Sequence, residues 1–421
     1  MKKILSSLEI SPSDKELMKL KSESKKIKEA IESEVAKAKI RVETCIGGSL
    51  AKETILKKEL YDIDIYLRFD SRYENIEKIT KNILRKVVKK TGLPLNVIHG
   101  SRDYFRIKKD NIIFEIIPVT KIKNPREARN VTDLSYFHVN YVKRKLKNKK
   151  LAREILIAKE FCKAQGVYGA ESYIGGFSGY GLECLIIYYK SFEKMAKKLA
   201  NVKDKIIIDI EKKYKKKEEV FFSLNENKLN NPIILIDPTW KERNVLAALT
   251  KESFLKFQNA LKKFVLKPSI SFFKPTTIDE KNMRKKAAAE KAKFIHLKIR
   301  TNKQAGDIAG TKLKKFSKML IGEISHYYSI IDTEFHYDLK NSADFYIILK
   351  AKPFIIKRGP PVTLKNYALK FKKKNKNVFE KDGVLYSKIK VNDNAKLFLK
   401  KFSNVYKYKI KEMSITNMSF I

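Results

Sequence analysis

The sequence is poor in cysteine and has no long apolar run. Its 421 residues include three cysteines, Cys45, Cys162 and Cys184, which are far apart and form no Cys-x-x-Cys pair. A disulfide framework or a zinc site is therefore not expected, and a reducing compartment is the simplest interpretation. No apolar run reaches the roughly 20 residues that cross a bilayer. We predict a cytoplasmic protein with no membrane partner.

Acidic residues are few relative to basic ones. Asp plus Glu total 47 against 92 Lys plus Arg, which gives a formal net charge of +45. This excess favours a polyanionic partner, and we predict nucleic acid, bound with an affinity that weakens as salt rises. The codon usage of a genome with low GC content is the alternative explanation, because lysine dominates the basic residues and Ile and Asn are also plentiful.

Apolar residues are sufficient for several ordinary cores. The hydrophobic fraction is 43% and the aromatic fraction 11%, which at this length allows about two to four domains. Ser13 and Glu16 form a capping box that predicts a helix over residues 13–36. Alternation of apolar and polar residues predicts three strands, at residues 40–46, 61–69 and 111–119. A further helix is predicted between the second and the third of these strands.

The chain beyond about residue 133 has a different pattern of secondary structure. From about residue 133 to residue 263 it is mainly helical, and two prolines followed by a charge run place a boundary within residues 266–286. Beyond it a β-α-β-β order predicts a ferredoxin-like unit, a common RNA-binding architecture. The sequence thus predicts an α+β multidomain fold whose three domains cover residues 1–138, 139–265 and 266–421.

Two carboxylates lie on the strand that reads YDIDIYLRF. Residues two apart on a strand share a face, so Asp62 and Asp64 point to one side while Ile63 and Ile65 point to the other. Neighbouring like charges are costly without a cation, and paired carboxylates beside phosphates suit Mg²⁺. The preceding Gly-Gly-Ser turn brings backbone N–H groups and a hydroxyl that can approach a polyphosphate.

A third carboxylate, Glu115, lies on the strand IIFEIIPV and can complete the metal cluster. An exposed strand face with ordinary surface charge is the alternative, because an acid-x-acid pair is common. The succession of glycine turn, helix, acid-x-acid strand and later acidic strand is much rarer than any one part.

This succession resembles the nucleotidyltransferase superfamily that includes DNA polymerase beta and the poly(A) polymerases. Four further segments look like those of the archaeal, class I CCA-adding tRNA nucleotidyltransferases: LSYFH, KEFCKAQGVYGAES, GFSGYGLECLIIYYKSF and IDPTWKERNVLAAL. The GPPV segment near the end also fits, and no Glu-Asp dipeptide occurs, so the Glu-Asp-x-x-Arg motif of the class II enzymes is absent. The resemblance extends over essentially the whole chain.

The resemblance implies a nucleotidyltransferase head with a mixed sheet, a helical central domain, and a body and tail that bind tRNA. It implies that Asp62, Asp64 and Glu115 hold two Mg²⁺ ions and that the tail holds the elbow side of tRNA while the head receives the acceptor end. Arg243 would read the base of CTP or ATP through its planar guanidinium. The other nucleotide-binding residues that it implies are Gly48, Ser49, Ser135, His138, Lys159 and Tyr168.

Two positions depart from the family pattern. The third carboxylate is normally aspartate, whereas Glu115 is longer by one methylene, a shift of about 1 Å that matters for Mg²⁺. Where the family often has a basic residue just before GFSGY, this chain has Gly175 and Gly176.

The predicted function is template-independent addition and repair of the 3′-terminal CCA of tRNA from CTP and ATP. Another RNA nucleotidyltransferase, such as a poly(A) polymerase, and a tRNA-binding protein whose catalysis has lapsed at Glu115 are the alternatives. The partner is tRNA, and a homodimer is left open.

Overall fold

The structure is a computed structural model. Its contacts divide the chain into two compact units, Met1–Ala170 with Ile174–Thr276, and Glu171–Tyr173 with Thr277–Ile421. The residues that it describes are 1–100, 102–146, 149–216, 218–225, 229–275 and 278–421.

The first unit begins with a five-stranded mixed sheet in the order β1-β2-β5-β4-β3. β2 and β5 are parallel, and the other neighbours are antiparallel. The strands are β1 (Val42–Ile46), β2 (Tyr61–Phe69), β3 (Leu95–Ile98), β4 (Tyr104–Lys109) and β5 (Ile112–Thr120). The helices of this region are α1 (Lys2–Ser6), α2 (Asp14–Lys37), α3 (Gly48–Ala51) and α4 (Ile76–Thr91).

The predicted helix and strands of this region are confirmed. The Ser13 hydroxyl accepts from the Glu16 N–H, and the Glu16 carboxylate accepts from the Ser13 N–H, so the capping box starts α2. β2 buries Ile63 and Ile65 completely, in a core shared with α2 and α4. Burial of an isoleucine side chain contributes about 1.5–3 kcal/mol, which fixes the register of β2 and turns both aspartates to the opposite face.

The rest of the first unit is mainly helical, as predicted. Its core is rich in phenylalanine, and the rings of Phe161, Phe192 and Phe264 contact one another at centroid distances of 5.3–5.9 Å. Its α-helices are α5 (Ser135–Lys145), α6 (Lys149–Ala164), α7 (Gly179–Tyr189), α8 (Phe192–Ala200), α9 (Glu218–Ser223) and α10 (Lys251–Leu266). Its described residues also form two short parallel strands and three 3₁₀ turns. The strands are β6 (Ile206–Ile208) and β7 (Ile233–Leu235), and the turns are Pro125–Glu127, Val131–Leu134 and Ile270–Phe273.

The second unit contains a four-stranded antiparallel sheet in the order β14-β8-β10-β9 and a three-stranded sheet in the order β11-β13-β12. Its strands are β8 (Lys293–Thr301), β9 (Tyr328–Tyr337), β10 (Ser342–Ala351), β11 (Phe354–Pro361), β12 (Val378–Lys381), β13 (Val384–Lys390) and β14 (Ile415–Phe420). Its helices are α11 (Glu280–Ala289), α12 (Asp307–Tyr327), α13 (Lys365–Lys374), α14 (Ala395–Val405) and α15 (Lys407–Glu412).

Helices cover both faces of the four-stranded sheet to different extents. α12 and α14 bury one face through Leu313, Phe316 and Leu399. α11 packs Met283 and Ala287 against Ile348 on the other face. Within the part of the chain that is described, no helix has the length and apolar character needed to cross a membrane.

Candidate active site

The glycine turn lies directly against the β2 aspartate. The Gly47 N–H donates to the Asp64 carbonyl oxygen at 2.9 Å. Gly48 has φ +57°, and a Cβ built there would lie 1.6 Å from Asp64 Oδ2. A side chain at Gly48 would therefore displace the carboxylate, and only glycine lets the turn approach it so closely. Ser49, which follows Gly48 directly in the chain, is half-buried.

Asp64, Glu115 and Arg106 form one row across three adjacent strands. Asp64 pairs with Glu115 in the register of β2 and β5, and Glu115 pairs with Arg106 in the register of β5 and β4. Burial raises the pKa of Asp64 to about 7, and the Glu115 charge acts in the same direction. Asp62, on the same face of β2, accepts a hydrogen bond from Lys58 Nζ at 3.0 Å.

The Glu115 carboxylate is engaged by an arginine. Arg106 Nε donates to Glu115 Oε1 at 2.8 Å, and Arg106 Nη2 lies 2.7 Å from the same oxygen. Burial raises the pKa of Glu115, and Arg106 opposes that rise. Among the described residues, no group of three His, Cys, Asp or Glu side chains is close enough to hold a metal ion.

The donor set nevertheless fits a divalent cation. Asp62 and Asp64 are oxygen ligands on one face, and Mg²⁺ is usually held by one or two carboxylates with phosphates and waters. The raised pKa of Asp64 reflects an anion that is poorly compensated, and a bound cation would remove that cost. The part of Glu115 in such a site stays a prediction.

A buried ionic cluster connects the sheet region with the helices. The Glu183 carboxylate accepts from Lys52 Nζ at 2.6 Å, from Thr54 Oγ1 at 2.7 Å and from Lys159 Nζ at 2.9 Å. Lys159 Nζ also donates to the Thr54 carbonyl oxygen at 3.0 Å. The side chains of Lys159 and Glu183 are 2% and 0% exposed. In the structure the Lys159 ammonium is fully engaged here, and its contact with phosphate stays a prediction.

The charges of this cluster stabilise each other. Burial alone would raise the pKa of Glu183, but the charges of Lys159 and Lys52 outweigh burial and lower it to about 2. Sequence reasoning missed Lys52 and Glu183. The available signals were a lysine three residues after Ser49, and one acid in the otherwise apolar run GLECLIIYY.

A second cluster gathers His138, Arg243 and Tyr180 around Asp237. Asp237 Oδ2 accepts from Arg243 Nη1 at 2.7 Å and lies 3.1 Å from His138 Nε2. The Tyr180 hydroxyl donates to Asp237 Oδ1 at 3.1 Å, and its ring stacks on that of His138 with a centroid distance of 4.0 Å. The structure thus brings together two sequence-predicted residues that are far apart in the chain. Asp237 itself was not predicted, although it lies in the IDPTWKERNVLAAL segment.

The remaining predicted residues lie close to these groups. Ser135, at the start of α5, lies near the Tyr66 hydroxyl, and the Tyr66 ring lies against Gly47. Burial raises the pKa of Tyr168 to about 12, and its hydroxyl lies 3.1 Å from the point where a Cβ on Gly179 would be.

The glycine pair that departs from the family pattern has a packing reason. A Cβ on Gly176 would lie 2.1 Å from the Val167 carbonyl oxygen, and Gly175 has φ +57°. A Cβ on Gly175, the position directly before GFSGY, would lie 2.5 Å from Thr250 Cγ2, so a basic side chain there would be strained.

Comparison with known proteins identifies the relatives of the chain. Residues 153–274 match a family model described as the second domain of tRNA nucleotidyltransferase. The CCA-adding enzyme of Methanocaldococcus jannaschii is 29% identical over 90% of this chain and 85% of its own length. That of Saccharolobus islandicus strain Y.G.57.14 is 28% identical over 89% of this chain and 87% of its own. Over most of its length the chain is similar to archaeal CCA-adding enzymes.

A shorter match has a higher identity than these two. The CCA-adding enzyme of Nanoarchaeum equitans is 41% identical over 212 residues, which are 50% of this chain and 52% of that enzyme. The match thus spans about half the length of that enzyme. The predicted resemblance to archaeal CCA-adding enzymes is confirmed by these relatives.

Solved structures support the fold alone. A cytoplasmic RNA terminal U-transferase superposes with a TM-score of 0.51 at 14% identity, over 66% of this chain and 100% of its own. The RNA terminal uridylyl transferase Cid1 superposes with a TM-score of 0.50 at 14% identity, over 64% of this chain and 96% of its own. The predicted mixed α+β character of the fold is confirmed, and the fold is similar to those of these two transferases.

Proposed function

We propose that this protein is a template-independent tRNA nucleotidyltransferase that adds or repairs the 3′-terminal CCA with CTP and ATP. The observation that carries the proposal is that Asp62 and Asp64 share one face of β2, with Asp64 against the Gly47-Gly48 turn. The relatives that match most of the chain are named CCA-adding enzymes. The reaction releases pyrophosphate.

The reaction needs a site that holds a triphosphate next to an RNA end. The tRNA 3′-hydroxyl oxygen bonds to the α-phosphorus of CTP or ATP, the α–β phosphoanhydride bond breaks, and the hydroxyl proton passes to solvent. Bound Mg²⁺, two ions in this proposal, would supply positive charge to the attacking and leaving oxygens. Asp62 and Asp64 would hold the metal, and Gly48 and Ser49 would leave room for the phosphates.

One further observation favours the alternative that the protein binds tRNA but no longer catalyses nucleotide transfer. Glu115 is paired with Arg106 rather than left free beside Asp64. A protein that only binds tRNA would have high affinity and no transfer. Incubation with CTP, ATP, Mg²⁺ and tRNA that lacks CCA separates the two, because the proposed enzyme incorporates CMP and AMP and a lapsed one incorporates neither.

We further propose that the second unit binds tRNA. The strand order of the four-stranded sheet, with α12 between β8 and β9 and with α14 and α15 before β14, supports the ferredoxin-like unit that the sequence predicts. In this proposal the elbow side of tRNA lies on the second unit and the acceptor end in the first. A homodimer and a cytoplasmic location remain predictions from the sequence.

The open face of the three-stranded sheet is basic and aromatic, which supports this proposal. Phe354, Ile356 and Arg358 of β11 pair with Lys390, Lys388 and Tyr386 of β13, so these six side chains share a face. Phe354 is 39% exposed and Ile356 57%, and Lys388 Nζ lies 3.7 Å from the centroid of the Phe354 ring. α13 packs on the opposite face, where the Phe371 ring lies against Gly359. Cations next to exposed rings suit RNA phosphates and bases.

Removal of this positive charge should weaken tRNA binding. In the full chain, we expect the triple variant Arg358→Ala, Lys388→Ala, Lys390→Ala to bind tRNA more weakly. The slope of log Kd against log salt should become shallower by about 1 for each phosphate that the protein no longer neutralises. Filter binding at several salt concentrations measures both quantities.

A matched control removes the same charge elsewhere. Lys15, Lys19 and Lys25 are exposed on α2, which packs on the sheet face opposite the aspartates. Their replacement by alanine should change affinity and salt slope less. Wild-type affinity and slope in the first triple variant would exclude the open face as a tRNA site.

A further inference from the structure

One buried carboxylate connects three parts of the chain that meet beside the candidate nucleotide site. The Asp237 side chain is 0% exposed, and its partners come from α5, from α7 and from its own loop. His138 lies 99 residues before it and Tyr180 57 residues before it. Local chain geometry does not explain such a convergence, so the carboxylate has a role in tertiary positioning.

The two carboxylate oxygens have different partners. Oδ1 accepts from the Thr239 N–H at 2.8 Å, from the Thr239 hydroxyl at 2.7 Å and from the Tyr180 hydroxyl at 3.1 Å. Among the described residues, the partners of Oδ2 are Arg243 and His138, the two residues predicted to contact the nucleotide. Oδ1 therefore anchors the carboxylate to the protein, and Oδ2 holds the two nucleotide residues.

The backbone reinforces this arrangement. The Asp237 N–H donates to the Arg243 carbonyl oxygen at 2.9 Å, so the loop is closed by a backbone bond as well as by the ion pair. The ion pair uses one guanidinium nitrogen, and the other N–H groups of Arg243 can face a base edge. Arg243 retains 21% exposure of its side chain.

The charges and the burial of this cluster shift the pKa values of Asp237 and His138. Burial alone would raise the pKa of Asp237, but His138 and Arg243 hold it well below its usual range. Burial lowers the pKa of His138 and favours its neutral ring, whereas the Asp237 carboxylate acts in the opposite direction. A neutral ring beside a carboxylate carries its proton on Nε2 and leaves Nδ1 as an acceptor. Asp237 thus determines which His138 nitrogen can accept from a ligand.

We propose that Asp237 is a positioning residue for nucleotide selection, which holds Arg243 and His138 through one oxygen so that they contact the incoming nucleotide as a unit. This inference rests on the proposed function and deepens it. Selection between bases requires fixed donors and acceptors, since an unpaired polar group in the site penalises the wrong base. A guanidinium that is free to rotate could donate hydrogen bonds to the edges of several different bases.

Asp237→Asn tests the inference because asparagine keeps the shape and removes the charge. With tRNA that lacks CCA, we expect the KM for CTP and ATP to rise about tenfold, and discrimination against UTP and GTP to fall about tenfold, as for the loss of a charge-assisted hydrogen bond. The Kd for tRNA should stay at the wild-type value. A purely structural residue would lower the fraction of active protein and leave KM and discrimination unchanged.

Thr239→Val is the matched control. It removes a hydroxyl bond to the same carboxylate and leaves Oδ2 with both of its partners, so discrimination should match the wild type. Wild-type discrimination in Asp237→Asn would overturn the inference. Absence of transfer by the wild-type protein would instead overturn the proposed function, so the two failures are distinguishable.

A second measurement does not depend on the folding of Asp237→Asn. His138→Ala, Arg243→Ala and the double variant form a mutant cycle. Since both side chains bind one oxygen, the double variant should lose less discrimination than the product of the two single losses. If the loss of discrimination in the double variant equals the product of the two single losses within error, the two residues act independently. That result would contradict the shared role of Asp237.

Discussion

Asp64→Ala should abolish nucleotide transfer and leave tRNA binding nearly unchanged. Asp64 is the carboxylate that the glycine turn touches, and the neighbouring Glu115 adds to the rise of its pKa to about 7. Loss of a metal ligand at the reacting phosphate should lower the rate by at least about 10³-fold, which corresponds to about 4 kcal/mol. Removal of a negative charge should leave affinity for an anionic RNA equal or slightly higher.

Single-turnover transfer of labelled CMP and filter binding of tRNA measure the two effects separately. Asp70→Ala is the control, because Asp70 directly follows β2 and forms an exposed pair with Arg72, so transfer should persist. Wild-type turnover in Asp64→Ala would remove Asp64 from the metal site.

Glu183→Gln should cause the largest loss of stability. The substitution keeps the shape but leaves Lys52 and Lys159 buried without their shared anion. Removal of one partner of a buried ion pair costs about 3–5 kcal/mol. Denaturant unfolding at pH 7 measures this loss. Glu193→Gln, which breaks the more exposed pair with Lys197, should cost less than about 1 kcal/mol.

The Glu183 effect should depend on pH with a definite sign. The folded-state pKa of about 2 lies below the usual value of 4.5, so the carboxylate contributes its full stabilisation above pH 4.5 and loses it as pH falls towards 2. The difference in the free energy of unfolding between wild type and Glu183→Gln should therefore shrink over that range. A difference that stays constant from pH 7 to pH 3 would show that Glu183 does not act through its charge.

Local pattern was sufficient to predict the elements that carry the candidate site. Period-two alternation placed Asp62 and Asp64 on one face of β2, and the Ser13–Glu16 capping box placed the start of α2. Both are short-range effects, determined by residues within a few positions of one another. β3 and β4 were not predicted, because Leu95–Ile98 is short and only partly buried and Gly100 separates the two strands.

The partners in the buried ionic clusters could not be predicted from local sequence pattern. Lys52 and Glu183 are 131 residues apart, and His138 and Asp237 are 99 apart. A charged residue inside an apolar helix such as α7 indicates that a partner exists, but its identity depends on how the helices pack on the sheet. The Glu115–Arg106 pair likewise depends on β4, which the sequence analysis missed.

Sequencing of the RNA 3′ ends after incubation with all four nucleotides tests the central claim most directly. The substrate is tRNA that lacks its last three nucleotides, with purified protein and Mg²⁺. We predict products that end in C, then C, then A, with no fourth nucleotide and with little U or G at any step. Unextended tRNA, or a homopolymer that continues beyond three nucleotides, would contradict the proposal that this protein is a CCA-adding enzyme.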